Sequence, residues 1–167
     1  MKIITFILIL PIVFIGQIMN QKTFDEKSGK EILTGYCNRE AFTDSLYSKW
    51  FDDEYNLYSV DTASIDLVVE NLRHTEIKIV LGTWCSDSRR EVPRIYKILD
   101  SVDYPKDKVT LISVDRKKLG LEDEVSGLNI ELVPTIILYQ NEIEIGRIIE
   151  SPEISLEEDI VNILISK

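Results

Sequence analysis

The chain has 167 residues, which suits one domain with a single hydrophobic core and is too short for two domains of ordinary size. It carries 29 acidic and 19 basic residues, for a formal net charge of -10 at pH 7. A protein that binds nucleic acid needs cationic groups to neutralise phosphates, so we expect no nucleic-acid partner.

The N-terminal segment differs in composition from the rest of the chain. Lys2 is followed by an apolar run over residues 3–16. A short positive region followed by an apolar region is typical of a secretory signal peptide. We therefore predict that residues 1–19 are a signal peptide or, if uncleaved, a membrane anchor that tethers the protein through residues 3–19. Either reading predicts a periplasmic or otherwise extracytoplasmic location.

The segment before the first predicted strand is divided into a linker and a helical part. Residues 20–35 are polar and show no apolar period, which predicts a linker, so that residues 36–167 form the domain. Apolar residues at helical spacing predict helices over residues 39–57 and 64–73. These helices would form an N-terminal helical extension of the domain.

The middle of the chain predicts a βαβ unit. Residues 77–81 form a strand of β-branched residues that ends at Gly82, and after Cys85 the apolar period becomes helical. Residues 109–114 form the next strand, and the length between the two strands requires a crossover, which is typical of a parallel pair. Residues 115–127 are polar and hold at most a short helix.

The last part of the chain predicts a ββα unit. An apolar strand over residues 136–139, a turn, and a second strand over residues 143–149 form a hairpin. Pro152 suits the first position of a final helix. The predicted fold class is therefore α/β, with a central mixed sheet, built from βαβ and then ββα, flanked by helices.

Cys85 lies where the first strand of the βαβ unit gives way to a helix. The thiolate is the reactive form of cysteine, and a helix N-terminus favours it through backbone N–H groups and the helix dipole. Ser88, one turn further on, is predicted to donate a hydrogen bond to the sulfur. Two nearby arginines favour the anion and two nearby acids oppose it. Cys85 is the candidate nucleophile.

Cys37 is the second of two cysteines in the chain. In an oxidising compartment, two cysteines are compatible with a structural disulfide, or with a redox couple in which Cys37 resolves a mixed disulfide on Cys85. They are equally compatible with two unpaired thiols, because separation in sequence does not decide proximity. No second histidine and no further cysteine pair offers a metal site, so we expect neither a metal nor a cofactor.

Three motifs resemble, in order and in position, those of the thioredoxin family. They are Trp84-Cys85 at the active site, Pro93 in the helix that follows, and Val133-Pro134-Thr135 before an apolar strand. The resemblance covers residues 64–167 and implies a thioredoxin-like fold with a cis-proline beside the thiol. It also implies substrate contacts by Trp84, Val133, Pro134 and Thr135, in which the backbone of Val133 is free to pair with an extended peptide. A narrower similarity, in residues 35–40 and 83–88, is to exported thioredoxin-like proteins of Bacteroidetes-type bacteria, here with a Cys-x-x-Ser site.

The chain departs from the family at two positions. Ser88 stands where the family has its second active-site cysteine, and Ile79 stands where it has a buried acid. The usual disulfide between the two active-site cysteines cannot form, and proton transfer lacks its usual helper. We therefore expect monothiol exchange, in which Cys85 attacks a protein or small-molecule disulfide and a second thiol, including Cys37, releases it. The alternatives are a redox-inactive peptide-binding module of the same fold and a Cys37–Cys85 structural disulfide.

Overall fold

The structure is a computed structural model that describes residues 18–166. The predicted signal peptide or membrane anchor lies outside the described residues, except for its last two positions. Within residues 18–166, no helix is both long enough and apolar enough to cross a membrane. This part of the chain forms a two-stranded sheet, a five-stranded sheet and the helices that pack on it.

An N-terminal hairpin is followed by a third strand, three helices, a strand–helix–strand unit and a final hairpin and helix. The strands are β1 (Lys22–Asp25), β2 (Lys30–Leu33), β3 (Gly35–Cys37), β4 (Glu76–Leu81), β5 (Val109–Ser113), β6 (Thr135–Gln140) and β7 (Ile143–Ile149). The α-helices are α1 (Ser48–Leu57), α2 (Thr62–Asp66), α3 (Val69–Arg73), α4 (Ser86–Ser101) and α5 (Leu156–Ile165). Two 3₁₀-helices span Arg39–Thr43 and Lys106–Lys108.

The five-stranded sheet has the order β3-β5-β4-β6-β7. Strands β4 and β5 are parallel and are connected through α4, whereas β6 and β7 form an antiparallel hairpin next to β4. The connections therefore follow the predicted βαβ and ββα order. The α/β fold class with a central mixed sheet is confirmed, and the arrangement is thioredoxin-like.

The core depends on the alternation of side chains along β4, the central strand. Ile79 is fully buried and pairs with Leu111 on one side and Ile136 on the other. Side chains of this face join the buried residues of all five helices in one hydrophobic cluster. Val80 points to the opposite face, where a smaller cluster forms with the loop that precedes β6. Cys85 packs against this second cluster.

The predicted linker over residues 20–35 was wrong. Strands β1 and β2 form an antiparallel hairpin in this segment, and Gly35 begins β3 at the edge of the main sheet. The strands are short and largely polar, so they lack the apolar alternation by which a strand is recognised from sequence. Gly35 has φ +84°, a conformation that favours glycine and that turns the chain from the hairpin into the sheet.

Two predicted helices are interrupted, and a third begins later than expected. The helix predicted over residues 39–57 is a 3₁₀-helix and then α1, and the helix predicted over residues 64–73 divides into α2 and α3. The last helix begins at Leu156 rather than near Pro152, because the hydroxyl of Ser155 accepts the Glu158 N–H and caps it.

We predict that Ile79→Ala lowers the free energy of unfolding by about 2–5 kcal/mol, because it leaves a cavity where sheet and helices meet. Ile143→Ala is the matched control. Ile143 is largely exposed on β7, so the same truncation there changes stability by less than about 0.5 kcal/mol. Urea unfolding of both variants measures the two values. Equal losses would contradict the assignment of β4 to the centre of the core.

Candidate functional site

Cys85 caps the N-terminus of α4, directly after the turn that follows β4. Its backbone is extended, its N–H donates to the Gly82 carbonyl at 2.8 Å, and its own carbonyl accepts from the Arg89 N–H at 3.1 Å. The side chain is half-buried. The free N–H groups of the first helical turn and the positive end of the helix dipole therefore lie next to a thiol that solvent reaches.

The sulfur of Cys85 has two polar partners. Its thiol donates to the carbonyl oxygen of Val133 at 3.1 Å and lies 3.9 Å from Oδ2 of Asp87. The peptide bond between Val133 and Pro134 is cis. The fold thus places the predicted nucleophile against the predicted proline segment, although Cys85 and Val133 are 48 residues apart in sequence.

The residues expected to contact substrate in the proline segment are not accessible as side chains. Val133, Pro134 and Thr135 are all buried, and the Thr135 hydroxyl donates to the Leu132 carbonyl at 2.8 Å. Substrate contact at Val133, Pro134 and Thr135 therefore stays a prediction that concerns the backbone of this segment rather than its side chains. The exposed side chain beside them is Leu132, at 42% exposure, which the sequence pattern did not single out.

Ser88 does not bond to the sulfur, contrary to the sequence-based expectation. The residue is fully buried, and its hydroxyl accepts the backbone N–H of Gly82 at 3.1 Å. The hydroxyl thereby joins the end of β4 to the first turn of α4. The spacing of one helical turn predicts that the Ser88 hydroxyl lies near the Cys85 sulfur. The hydroxyl instead bonds to the backbone N–H of Gly82 in the preceding turn.

Cys37 neither pairs with Cys85 nor approaches it. Both cysteines are free, and Cys37 is 4% exposed in the large cluster on the helix-covered face of the sheet. It lies beside Tyr96, which is about three helical turns, or roughly 16 Å, along α4 from Cys85. Burial raises the pKa of the Cys37 thiol to about 12. The structural disulfide and the resolving role considered for Cys37 are therefore both contradicted.

Trp84 folds back against the strand that it follows. Its indole N–H donates to the Val114 carbonyl at 2.8 Å, and the ring lies against Gly82. A Cβ at position 82 would lie 2.6 Å from Cε2 of the indole, so only glycine leaves room for this ring. Trp84 is half-buried and remains available as one wall of the site.

A cation and an anion that sequence reasoning missed lie next to Trp84. The guanidinium carbon of Arg116, in the loop after β5, is 4.9 Å from the centre of the Trp84 ring. Arg116 donates through Nε and Nη2 to the carboxylate of Asp25 on β1, at 2.8 to 3.0 Å. These bonds, with those from Ser28, hold the pKa of Asp25 well below its usual value. No sequence signal joins Arg116 to Asp25, because 91 residues separate them.

The charged residues predicted near Cys85 on its own helix are largely engaged elsewhere. Arg89 donates to the Thr83 carbonyl at 2.7 Å, and Arg90 forms ion pairs with Asp87 at 2.9 Å and with the buried Glu91 at 2.5 Å. The helix therefore contributes a nearly neutral set of charges around the thiol. Any net electrostatic bias toward the thiolate must come from backbone groups or from other elements.

A metal site is not evident in the part of the chain that the structure describes. No group of three or more His, Cys, Asp or Glu residues there is arranged to hold an ion. His74, the one histidine, ends α3 as its C-cap. The chemistry that the site offers is that of its thiol.

Comparison with solved structures reveals similarity of fold. A protein of unknown function from Pseudomonas aeruginosa matches with a TM-score of 0.52 at 15% identity, covering 76% of this chain and 89% of that one. Thioredoxin from Fasciola hepatica matches at 18% identity over 50% of this chain and 74% of its own, with a TM-score of 0.35. Thioredoxin O2 from Arabidopsis thaliana matches at 20% identity over 52% and 75%, also with a TM-score of 0.35. No family model and no curated protein matches the chain.

We predict that Cys85 reacts with iodoacetamide faster than Cys37 in the reduced native protein. Cys85 is half-exposed, whereas Cys37 is buried with a pKa raised to about 12. Because the thiolate is the reacting form, Cys37 stays neutral and unreactive from neutral to mildly alkaline pH. Peptide mapping of timed alkylation measures both rates, and denatured protein, in which both thiols are exposed, is the control. Equal rates in the native protein would contradict this description of the two thiols.

Proposed function

We propose that this chain is an extracytoplasmic, thioredoxin-like protein that carries out thiol-disulfide exchange through the single thiol of Cys85. In this view it belongs with exported thioredoxin-like proteins whose active site is Cys-x-x-Ser. Its partners are protein or small-molecule thiols and disulfides, and it needs no cofactor. The observation that carries the proposal is a half-exposed thiol at the N-terminus of α4, next to the proline loop.

The proposed reaction forms one mixed disulfide. The Cys85 thiol loses its proton to water, and the thiolate attacks one sulfur of the substrate disulfide. A bond forms between Cys85 and that sulfur, the substrate S–S bond breaks, and the second substrate sulfur leaves as a thiolate that takes up a proton. Before the reaction, the thiol is held by its hydrogen bond to the Val133 carbonyl, whose oxygen lies 3.1 Å from the sulfur.

Release requires a second thiol from outside the chain. Cys37 is buried against the far part of α4, and Ser88 carries no sulfur. The second thiol is therefore a small thiol or the other cysteine of the substrate itself. Its thiolate attacks the substrate sulfur in the mixed disulfide and returns Cys85 as a thiolate, which takes up a proton. The protein thus serves as a carrier of one substrate sulfur at a time.

A redox-inactive binding module is the second candidate function. The observation that favours it concerns the two positions where thioredoxins carry a second active-site cysteine and a buried acid. Both positions hold buried structural residues here: the Ser88 hydroxyl accepts the Gly82 N–H, and Ile79 is part of the core. Such a module would use the exposed Leu132 and the half-buried Trp84 to contact a peptide, without chemistry at Cys85.

We predict that the reduced protein, mixed with excess disulfide-bonded peptide, accumulates a mixed disulfide at Cys85 that an added small thiol releases. Ser88→Cys should shorten the lifetime of this adduct at least tenfold, because a thiol one helical turn from Cys85 attacks within the chain. Intact mass spectrometry with time measures both species.

Two variants serve as controls for the adduct experiment. Cys85→Ser should form no adduct, and Cys37→Ser should leave the lifetime unchanged, because Cys37 does not reach the site. A fully reduced wild-type protein that forms no adduct would eliminate exchange and leave the binding module. A longer lifetime in Cys37→Ser would instead make Cys37 a resolving thiol.

We predict that residues 1–19 direct the chain out of the cytoplasm. The full chain, expressed in a bacterium with a periplasm, should appear in the periplasmic or membrane fraction, whereas a chain without residues 2–19 should stay in the cytoplasm. Mass analysis of the exported protein tells a cleaved signal peptide from a retained anchor. Recovery of the full chain in the cytoplasm would contradict the extracytoplasmic part of the proposal.

A further inference from the structure

The turn that carries Cys85 is contacted by the N-terminal hairpin. The Cys85 N–H donates to the Gly82 carbonyl at 2.8 Å, which closes a four-residue turn with Thr83 and Trp84 as its central residues. Thr83 is 1% exposed, and its hydroxyl accepts the Leu33 N–H of β2 at 3.2 Å. A hydrogen bond from the hairpin therefore ends on the turn whose last residue is Cys85.

Thr83 is held from a second side by α4. Its carbonyl accepts from Nε of Arg89 at 2.7 Å. The side chain of Thr83 is thus bound to β2, and its main chain is bound to the helix that begins directly after Cys85. Because the hydroxyl and the carbonyl are both engaged, the peptide groups of the turn are held in one orientation.

The second central residue of the turn is also reached from the hairpin. The guanidinium carbon of Arg116 lies 4.9 Å from the centre of the Trp84 ring, and Arg116 is bonded to Asp25 of β1 at 2.8 Å. Each strand of the hairpin therefore approaches one central residue of the turn, β2 directly and β1 through the Arg116 side chain.

Ser113 offers a built-in comparison for Thr83. Its hydroxyl donates to the Leu33 carbonyl at 2.8 Å, and the residue is fully buried at the end of β5. Thr83 and Ser113 thus form similar bonds, each between a buried hydroxyl and the backbone of Leu33. Only Thr83 belongs to the turn of Cys85, so the two bonds separate a positioning role from a purely structural one.

We propose that Thr83 is a positioning residue, through which the N-terminal hairpin holds the turn that places the Cys85 thiol at the N-terminus of α4. Leu33 of the hairpin is then part of the support of the site, although it precedes Thr83 by 50 residues. This inference rests on the proposed role of Cys85 as the nucleophile. It concerns the placement of the thiol, which alkylation measures without a disulfide substrate.

The test is the rate of iodoacetamide alkylation of Cys85 at pH 7 in the native protein, followed by peptide mapping. Thr83→Val keeps the shape of the side chain but cannot accept the Leu33 N–H. It should lower the rate about three- to tenfold, because a less fixed sulfur spends less time beside the helix N–H groups that favour the thiolate. Thr83→Ser keeps the hydroxyl and should restore the parent rate.

Ser113→Ala is the matched control. It also removes one hydroxyl bond to the Leu33 backbone, so it should lower the urea midpoint of unfolding about as much as Thr83→Val does. The alkylation rate of Cys85 should nevertheless equal that of the parent protein. Circular dichroism checks the fold of each variant. Thr83→Ala, which places no methyl group against the Leu33 N–H, is the second variant if Thr83→Val does not fold.

Three results would overturn the inference. The first is an unchanged rate in Thr83→Val, and the second is an equal fall in Ser113→Ala, which would make the effect one of general stability. The third is faster alkylation in Thr83→Val, because the hairpin would then shield the thiol rather than position it.

The same variants keep this inference separate from the proposed exchange. If the parent protein forms no mixed disulfide but the alkylation rates change as stated, the exchange fails while the role of Thr83 holds. Normal adduct formation with unchanged alkylation rates would instead support the exchange and remove the role of Thr83.

Discussion

The hydrogen bond from the Gly82 N–H to the Ser88 hydroxyl holds the end of β4 against the first turn of α4. The geometry around the Cys85 thiol depends on this hydrogen bond. It fixes Cys85 as the N-cap, and it directs the indole of Trp84 back over Gly82, where a side chain would clash. A serine performs this task well because its oxygen is a stronger acceptor than sulfur. Ser88 therefore stabilises the turn that positions the thiol.

The surroundings of the thiol are built from contacts between distant parts of the chain. Charges on α4 largely cancel near Cys85, whereas Arg116 and Asp25 come from the loop after β5 and from β1. Arg116 is partly exposed, so solvent screens its effect on folding stability, and the pair need contribute little to the fold.

The sequence supported those inferences that rest on local pattern. The passage from strand to helix at Cys85 is visible in the change of apolar period, and the strands on either side follow from their β-branched residues. The hairpin was missed because β1 and β2 are short and polar, and the partnership of Arg116 with Asp25 spans 91 residues. Ser88 was assigned to the wrong partner because the backbone N–H of Gly82, which sequence does not display, takes its hydroxyl.

We propose that Cys85 works as a single thiol, without a partner in the same chain. The most direct measurement is the intact mass of the fully reduced protein after exposure to an excess of oxidised glutathione, with the modified residue located by peptide mapping. We predict one glutathione adduct, on Cys85, with Cys37 still a free thiol. An internal Cys37–Cys85 disulfide, seen as the loss of two hydrogens without an adduct, would contradict it, and so would an adduct on Cys37 alone.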